Sequence, residues 1–319
     1  MKTYDVPGAA AQSASLLRED DRASLRAIAG ERVRFDEPLA PYTSWRIGGP
    51  ADAFVQVESS GELAALLQLA LRRRLPWFVL GSGSNLLVGD GGIRGLVLRL
   101  GGEFSAIAFE EGGERVTARA GSSAALPQFV AQAASHGAAG AGSLAGIPGS
   151  VGGALRMNAG TDREIGEFAL EVWVQTPAKP QPHPVTPQYF YRHTTLARDA
   201  VVAWVVLGFE RGDPAAIREE MQARLVRRKR TQPLQLPNAG SCFRNPPGDR
   251  AGRLIEAAGA KGWSEGEAAV SELHANFIVN RGHATAADVA SLLARVRRAV
   301  ADQFGIELEF EVHFVGVFE

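Results

Sequence analysis

Apolar positions recur at two spacings along this chain, and the spacing changes with position. Short apolar or alternating runs bounded by glycine, proline or charged residues predict strands at 53–57, 77–80, 86–88, 96–98, 107–109, 116–118, 172–174 and 201–207. Helical spacing predicts a helix over 62–74, with Leu63, Leu66, Leu67 and Ala70 facing inward, and another over 124–136. Leu16, Leu17, Leu25 and Ile28 fit one face of an N-terminal helix, whereas residues 1 to about 14 are small and polar and read as a frayed end. Beyond Glu210 the texture becomes strongly charged. Asp213 and Pro214 suit the cap and first turn of a helix that runs to about Lys229 and closes on Arg227-Arg228-Lys229-Arg230. That basic run reads either as a solvated last turn or as a phosphate clamp. A further helix over 285–304 precedes a terminal strand predicted over 307–317, where apolar and acidic residues alternate.

Two glycine-dense segments interrupt this pattern: Leu80-Gly81-Ser82-Gly83-Ser84-Asn85-Leu86 and Ala145-Gly146-Ile147-Pro148-Gly149-Ser150-Val151-Gly152-Gly153. Glycine lets backbone N–H groups approach a ligand with no Cβ in the way, so such turns suit a pyrophosphate. The first segment follows an apolar run but lacks the third glycine of the dinucleotide fingerprint, and it leads into Leu86-Leu87-Val88 as strand, turn and strand. Neither segment ends in the Gly-Lys-Ser/Thr of a P-loop. Two tight turns remain the alternative reading of both.

Composition narrows the classes. At 319 residues, 45% hydrophobic and 22% charged, the chain has material for two or three subdomains. A formal net charge of -1 argues against a general nucleic-acid binder. The single cysteine, Cys242, excludes an intrachain disulfide and a cysteine-rich zinc site, and the six histidines show no metal-ligand spacing, so no metal is expected. There is no apolar run of membrane-spanning length, and Met1 to Gly8 lacks the pattern of a signal peptide. No membrane insertion and a cytoplasmic address are the expectations.

An ordered set of motifs adds a resemblance. Residues 43–52 (Thr43-Ser44-Trp45-Arg46-Ile47-Gly48-Gly49-Pro50-Ala51-Asp52), the two glycine segments, Asn238-Ala239-Gly240-Ser241-Cys242-Phe243-Arg244-Asn245-Pro246, Ala251-Gly252-Arg253-Leu254-Ile255-Glu256 and His274-Ala275-Asn276-Phe277-Ile278-Val279-Asn280 closely resemble the UDP-N-acetylenolpyruvoylglucosamine reductase family across about residues 32–316. The resemblance implies an α+β fold with two FAD-binding subdomains of vanillyl-alcohol-oxidase (PCMH) type and a C-terminal α+β substrate-binding domain. Its implied layout is an N-terminal extension and helix at 1–30, an FAD-binding region at 31–210 split near 100, a substrate domain at 211–305, and a strand at 306–319 returning to the FAD region.

The implied activity is that of an NADPH-dependent flavoenzyme that reduces the enolpyruvyl ether of UDP-N-acetylglucosamine to UDP-N-acetylmuramate. FAD is implied as bound cofactor, NADPH as cosubstrate, and the enolpyruvyl UDP-sugar as the partner, with no obligate protein partner. In the family the glycine segments hold FAD, which carries over to Gly81, Ser82, Gly83, Ser84, Asn85, Ile147, Pro148, Gly149, Ser150, Gly152 and Gly153. Arg192, Ser241 and Glu311 match the catalytic arginine, the proton-donating serine and the late glutamate. Those residue types suit the chemistry: a guanidinium holds developing negative charge, and a well-placed hydroxyl can protonate a carbanion-like carbon. Glu311 is expected to carry an elevated pKa. Lys229 and Asn245 match substrate contacts.

The short stretch between Arg192 and Ser241 resembles the class without the tyrosine-bearing loop; the sequence also departs from the family pattern where Thr161-Asp162-Arg163 follows Gly160, Thr194 stands in place of serine, and Arg244 in place of lysine. Taken without the resemblance, Arg192, Ser241 and Glu311 read better as a surface turn, a loop cap and a strand edge. Two alternatives to the reductase are a different oxidoreductase on the same flavin fold and a non-catalytic flavin or nucleotide-sugar binder. Cys242 is expected to be buried and inert.

Overall fold

The structure, a computed structural model, describes residues 15–318. Two sheets stand in sequence. The first has the order Val33–Pro38, Pro50–Val57, Ile93–Leu100, Trp77–Val79, with the first pair antiparallel and the others parallel. The parallel pairing requires a crossover, supplied by the helix Ser60–Arg73. Ser59 caps this helix by accepting from the Glu62 N–H, and Leu63, Leu66, Leu67 and Ala70 are buried against Val55, Leu96 and Leu98. The N-terminal helix, Glu19–Ala29, begins after Leu16 and Leu17, so of the expected face only Leu25 and Ile28 lie on it. Residues 1–14, expected to fray, lie outside the described residues.

The second sheet is antiparallel, in the order His183–Val185, Ala169–Gln175, Val201–Arg211, Arg115–Gly121, Ile107–Gly112. Its apolar face packs on the helices Leu126–Ser135 and Val151–Met157 around Phe129, Leu155 and Phe209. The second of these helices is absent from the sequence expectations. Two glycines in its first turn hide it, and packing on the sheet overrides that poor propensity.

The C-terminal part joins a three-stranded sheet, Ser264–Glu265, Ala268–Val270 and Ile278–Asn280, to the helices Ala251–Ala257 and Ala286–Phe304. Its core admits Trp45 and Leu87 from the N-terminal half. Trp45 is fully buried and donates from Nε1 to the Ile278 carbonyl at 2.8 Å, while Asn280 Nδ2 donates to the Trp45 carbonyl at 3.0 Å. Burying that ring stabilises the junction by about 2–3 kcal/mol. The charged helix Pro214–Thr231 starts as the sequence predicts, with the Asp213 carboxylate accepting from the N–H groups of Ala215 and Ala216.

The terminal strand is shorter than expected. Only His313–Val315 is strand, paired parallel with Leu86–Val88. Before it the chain touches a different partner: the Arg244 N–H donates to the Glu309 carbonyl at 2.9 Å and the Glu311 N–H to the Cys242 carbonyl at 2.8 Å. Changing partners at Glu311 breaks the ladder, which is why alternation over 307–317 overstates it.

Candidate functional site

The two glycine segments meet on one cavity of about 1200 Å³. That exceeds the usual span of small-molecule pockets and leaves room for a large cofactor beside a second ligand. Ser84 Oγ donates to the Pro148 carbonyl at 3.3 Å, tying one segment to the other. A Cβ on Gly149, whose φ is +124°, would come within 3.0 Å of Ser84 Oγ, and one on Gly81 within 3.1 Å of Ser150 Oγ. These two glycines keep the gap between the segments open. Gly83 and Gly152 serve packing, since a Cβ would meet the Tyr42 carbonyl oxygen at 2.3 Å and Ser122 Cβ at 2.7 Å respectively.

The segments also differ in their donors. The helix that follows the second has its first N–H groups occupied: Val151 donates to the Ala124 carbonyl, Gly152 to the Ser122 carbonyl, and Gly153 to Ser150 Oγ. Among the described residues, the N–H groups of Ser82, Gly83 and Ser84 in the first segment find no such partner. The hydroxyls of Ser122 and Ser123, on the cavity wall, also lack one. Sequence reasoning passed over this serine pair although it sits in a turn between a strand and a helix, a placement the periodicity does contain.

Seven arginines line the cavity (Arg99, Arg156, Arg192, Arg198, Arg224, Arg227 and Arg228) against three carboxylates, Asp162, Asp199 and Glu311. In a chain of net charge -1 this wall is strongly positive and suited to a polyanionic ligand. Of the basic run, Arg227 and Arg228 reach the cavity. Burial holds the Arg228 pKa below the usual arginine range.

Within the same lining three distant segments converge. Arg192 sits in the turn between Tyr189–Phe190 and His193–Thr194 at φ +56°, a conformation uncommon for a side-chain-bearing residue and often found at functional sites. Its Nε donates to Glu311 Oε1 at 2.9 Å and its Nη2 to the Gly160 carbonyl at 3.2 Å. Ser241 lines the same cavity, one residue before the Cys242 carbonyl that accepts from Glu311. Asn85, closing the first glycine segment, donates from Nδ2 to the Glu311 carbonyl at 3.1 Å.

Burial raises the Glu311 carboxyl above the ordinary glutamate range, with Arg192 and Arg244 opposing the shift. Burial pushes the Cys242 thiol up to about 12, which leaves no thiolate for nucleophilic chemistry. Burial also lowers His313 to about 4, so this ring is neutral at pH 7.

Comparison with known proteins assigns the family. A family model described as UDP-N-acetylenolpyruvoylglucosamine reductase, C-terminal domain, matches residues 232–315, and one described as an FAD binding domain matches residues 51–172. A protein named UDP-N-acetylenolpyruvoylglucosamine reductase 2, from Symbiobacterium thermophilum, is 48% identical over 290 residues, covering 89% of this chain and 92% of its own. The reductase of Moorella thermoacetica is 46% identical over 303 residues, covering 92% and 98%. The crystal structure of the reductase from Thermus caldophilus superposes with a TM-score of 0.75 at 36% identity, covering 89% of this chain and 98% of that one. The chain belongs to the UDP-N-acetylenolpyruvoylglucosamine reductase family.

FAD is the cofactor of this family fold, and the residues present fit it: a gap between Gly81 and Gly149 that a Cβ would narrow, open N–H groups at 82–84, and a positive wall. All eleven positions expected to hold the cofactor line the cavity. Arg192, Ser241 and Glu311 line it too. Lys229 and Asn245 do not. Arg224, Arg228 and Thr231 share one face of their helix, and Lys229 lies a third of a turn away and exposed. Gln232, just past the helix end, reaches the cavity instead. Asn245 is exposed, and its Oδ1 accepts from the Ala251 N–H at 3.1 Å, anchoring the start of a helix. Among the described residues no cluster of three metal-ligating side chains occurs, and no helix is long and apolar enough to cross a membrane.

Proposed function

We propose that this reductase-family chain carries out the family reaction itself: with NADPH as reductant, it converts the enolpyruvyl ether of UDP-N-acetylglucosamine to UDP-N-acetylmuramate, a precursor of peptidoglycan. The supporting observation is the convergence of Arg192, Ser241 and Glu311, from three distant segments, on the cavity bounded by both glycine segments. FAD held by the two glycine segments would supply the hydride chemistry that links NADPH to the methylene carbon of the enolpyruvyl group.

The protein's residues deal with the charge and the proton. Hydride arrival places negative charge on the carbon bearing the carboxylate. Arg192, held by Glu311 and the Gly160 carbonyl, supplies a fixed cation that cannot lose its proton. Ser241 then donates a proton to that carbon, and the basicity of the acceptor makes a hydroxyl sufficient. Burial favours the protonated form of Glu311, and in that form it can pair with the substrate carboxylate. The arginine-rich wall suits the UDP diphosphate. Both co-substrates are cytoplasmic nucleotides, and a cytoplasmic address is part of this reading.

The test is NADPH oxidation measured with and without the enolpyruvyl UDP-sugar. Substrate-dependent oxidation with one UDP-N-acetylmuramate formed per NADPH supports the reading. A flavin that NADPH reduces but this substrate cannot reoxidise would overturn it and favour a different oxidoreductase on the same fold.

A further inference from the structure

Arg192 is gripped from two sides by carboxylates. Glu311 accepts from its Nε at 2.9 Å, while Glu164 Oε1 forms an ion pair with its Nη1 at 3.5 Å. Glu164 is itself fixed, because its other carboxylate oxygen accepts from Asn158 Nδ2. Asn158 is buried, ends the helix Val151–Met157 in a left-handed conformation, and also donates from Nδ2 to the Phe190 carbonyl at 3.0 Å while its Oδ1 accepts from the Gly166 N–H at 3.0 Å. One asparagine therefore ties together the hairpin that carries Arg192 and the turn that carries Glu164.

We propose that Glu164 is a positioning residue, holding the far side of the Arg192 guanidinium while Glu311 and the substrate carboxylate share its near side. The charge count supports this and rests on the substrate named above. With both glutamates ionised, the triad Glu164, Arg192, Glu311 carries one net negative charge, and a substrate carboxylate would add a second. A proton on Glu311 relieves that repulsion; one on Glu164 would release the anchor. Burial and Glu167 raise the Glu164 carboxyl while Arg192 opposes them, so the contacts with Asn158 and Arg192 are what favour its ionised form, and in that form its negative charge favours the proton on Glu311.

The other groups facing these carboxylates are Arg244 and the Cys242 thiol at Glu311, Glu167 at Glu164, and the ring of His313, two residues beyond Glu311 and set against Met157. Arg244 opposes protonation of Glu311, and the thiol and ring are neutral at pH 7.

The test is Glu164→Gln, which keeps the shape and removes the charge. Flavin content should match the parent, kcat should fall about tenfold from a loosened Arg192, and KM should stay within about twofold. The midpoint at which kcat falls as pH rises and Glu311 loses its proton should move to lower pH by about half a unit. A carboxyl-carbon NMR titration of Glu311 in flavin-free protein should show the same downward shift, and Glu164→Asp should largely restore it. A Glu311 titration that superimposes on the parent overturns the proposal, as does an unchanged kcat. If Glu164→Gln fails to fold, Glu164→Asp decides: a restored parental midpoint with lowered kcat sustains the proposal, and parental kcat and midpoint together overturn it. Should the proposed substrate be wrong, the parent fails the activity assay while the flavin-free titration still reads out Glu164.

Discussion

The cavity has two walls of different make. One is backbone: glycine segments at 81–85 and 146–153, tied by Ser84 and kept apart at Gly81 and Gly149. The other is side chain: Arg192, Glu311 and Ser241, each from a different stretch, with Arg192 and Glu311 hydrogen-bonded to one another. A backbone wall binds whatever presents phosphate and does so without changing charge, so it suits a resident cofactor. A side-chain wall supplies a fixed cation and a mobile proton, which a reaction needs and a resting cofactor does not. Damage to the first should therefore cost flavin, and damage to the second should cost turnover while the protein stays yellow.

The largest effect should follow Gly149→Val. At φ +124°, with Ser84 Oγ 3.0 Å from the new Cβ, a β-branched side chain strains the backbone and narrows the gap. The protein should fold, with a melting temperature near that of the flavin-free parent, yet purify almost colourless; full flavin absorbance would show that this wall does not hold the cofactor. Next is Ser241→Ala, expected to leave flavin content and reduction by NADPH intact while slowing product formation about a hundredfold or more. Cys242 should not rescue it, since its side chain is buried and does not line the cavity. Arg192→Lys should lower kcat about tenfold and change KM less, because an ammonium keeps the charge but cannot reproduce the planar fork that meets Glu311 and the Gly160 carbonyl together. Steady-state kinetics with both substrates varied separates those terms. The smallest effect should be Lys229→Ala, which alters an exposed position outside the cavity and should change KM less than about twofold. A large KM increase would bring this helix end back into the substrate site.

The two walls also differ in how legible they are in the sequence. Glycine is visible as punctuation, so the backbone wall could be read from composition and spacing. Arg192, Ser241 and Glu311 carry no local signal; ordered motifs singled them out, and the residues alone favoured a surface explanation for each. Glu164 escaped notice because its role depends on Asn158 and Arg192 meeting in three dimensions. Lys229, matched by its spacing from Ser241, does not line the cavity, since spacing along a helix carries no phase, and the terminal strand was overdrawn because alternation says nothing about a change of partner at Glu311. The helix Val151–Met157 was missed because tertiary packing stabilises a segment whose first turn holds two glycines.

The division of labour between the walls is tested most directly by rapid mixing of flavin-loaded Ser241→Ala and parent protein, first with NADPH and then with the enolpyruvyl UDP-sugar. The account predicts matching flavin content and matching rates of reduction, with reoxidation and product formation slowed about a hundredfold in the variant. A variant that loses its flavin, or that reoxidises and forms product at the parent's rate, would contradict it.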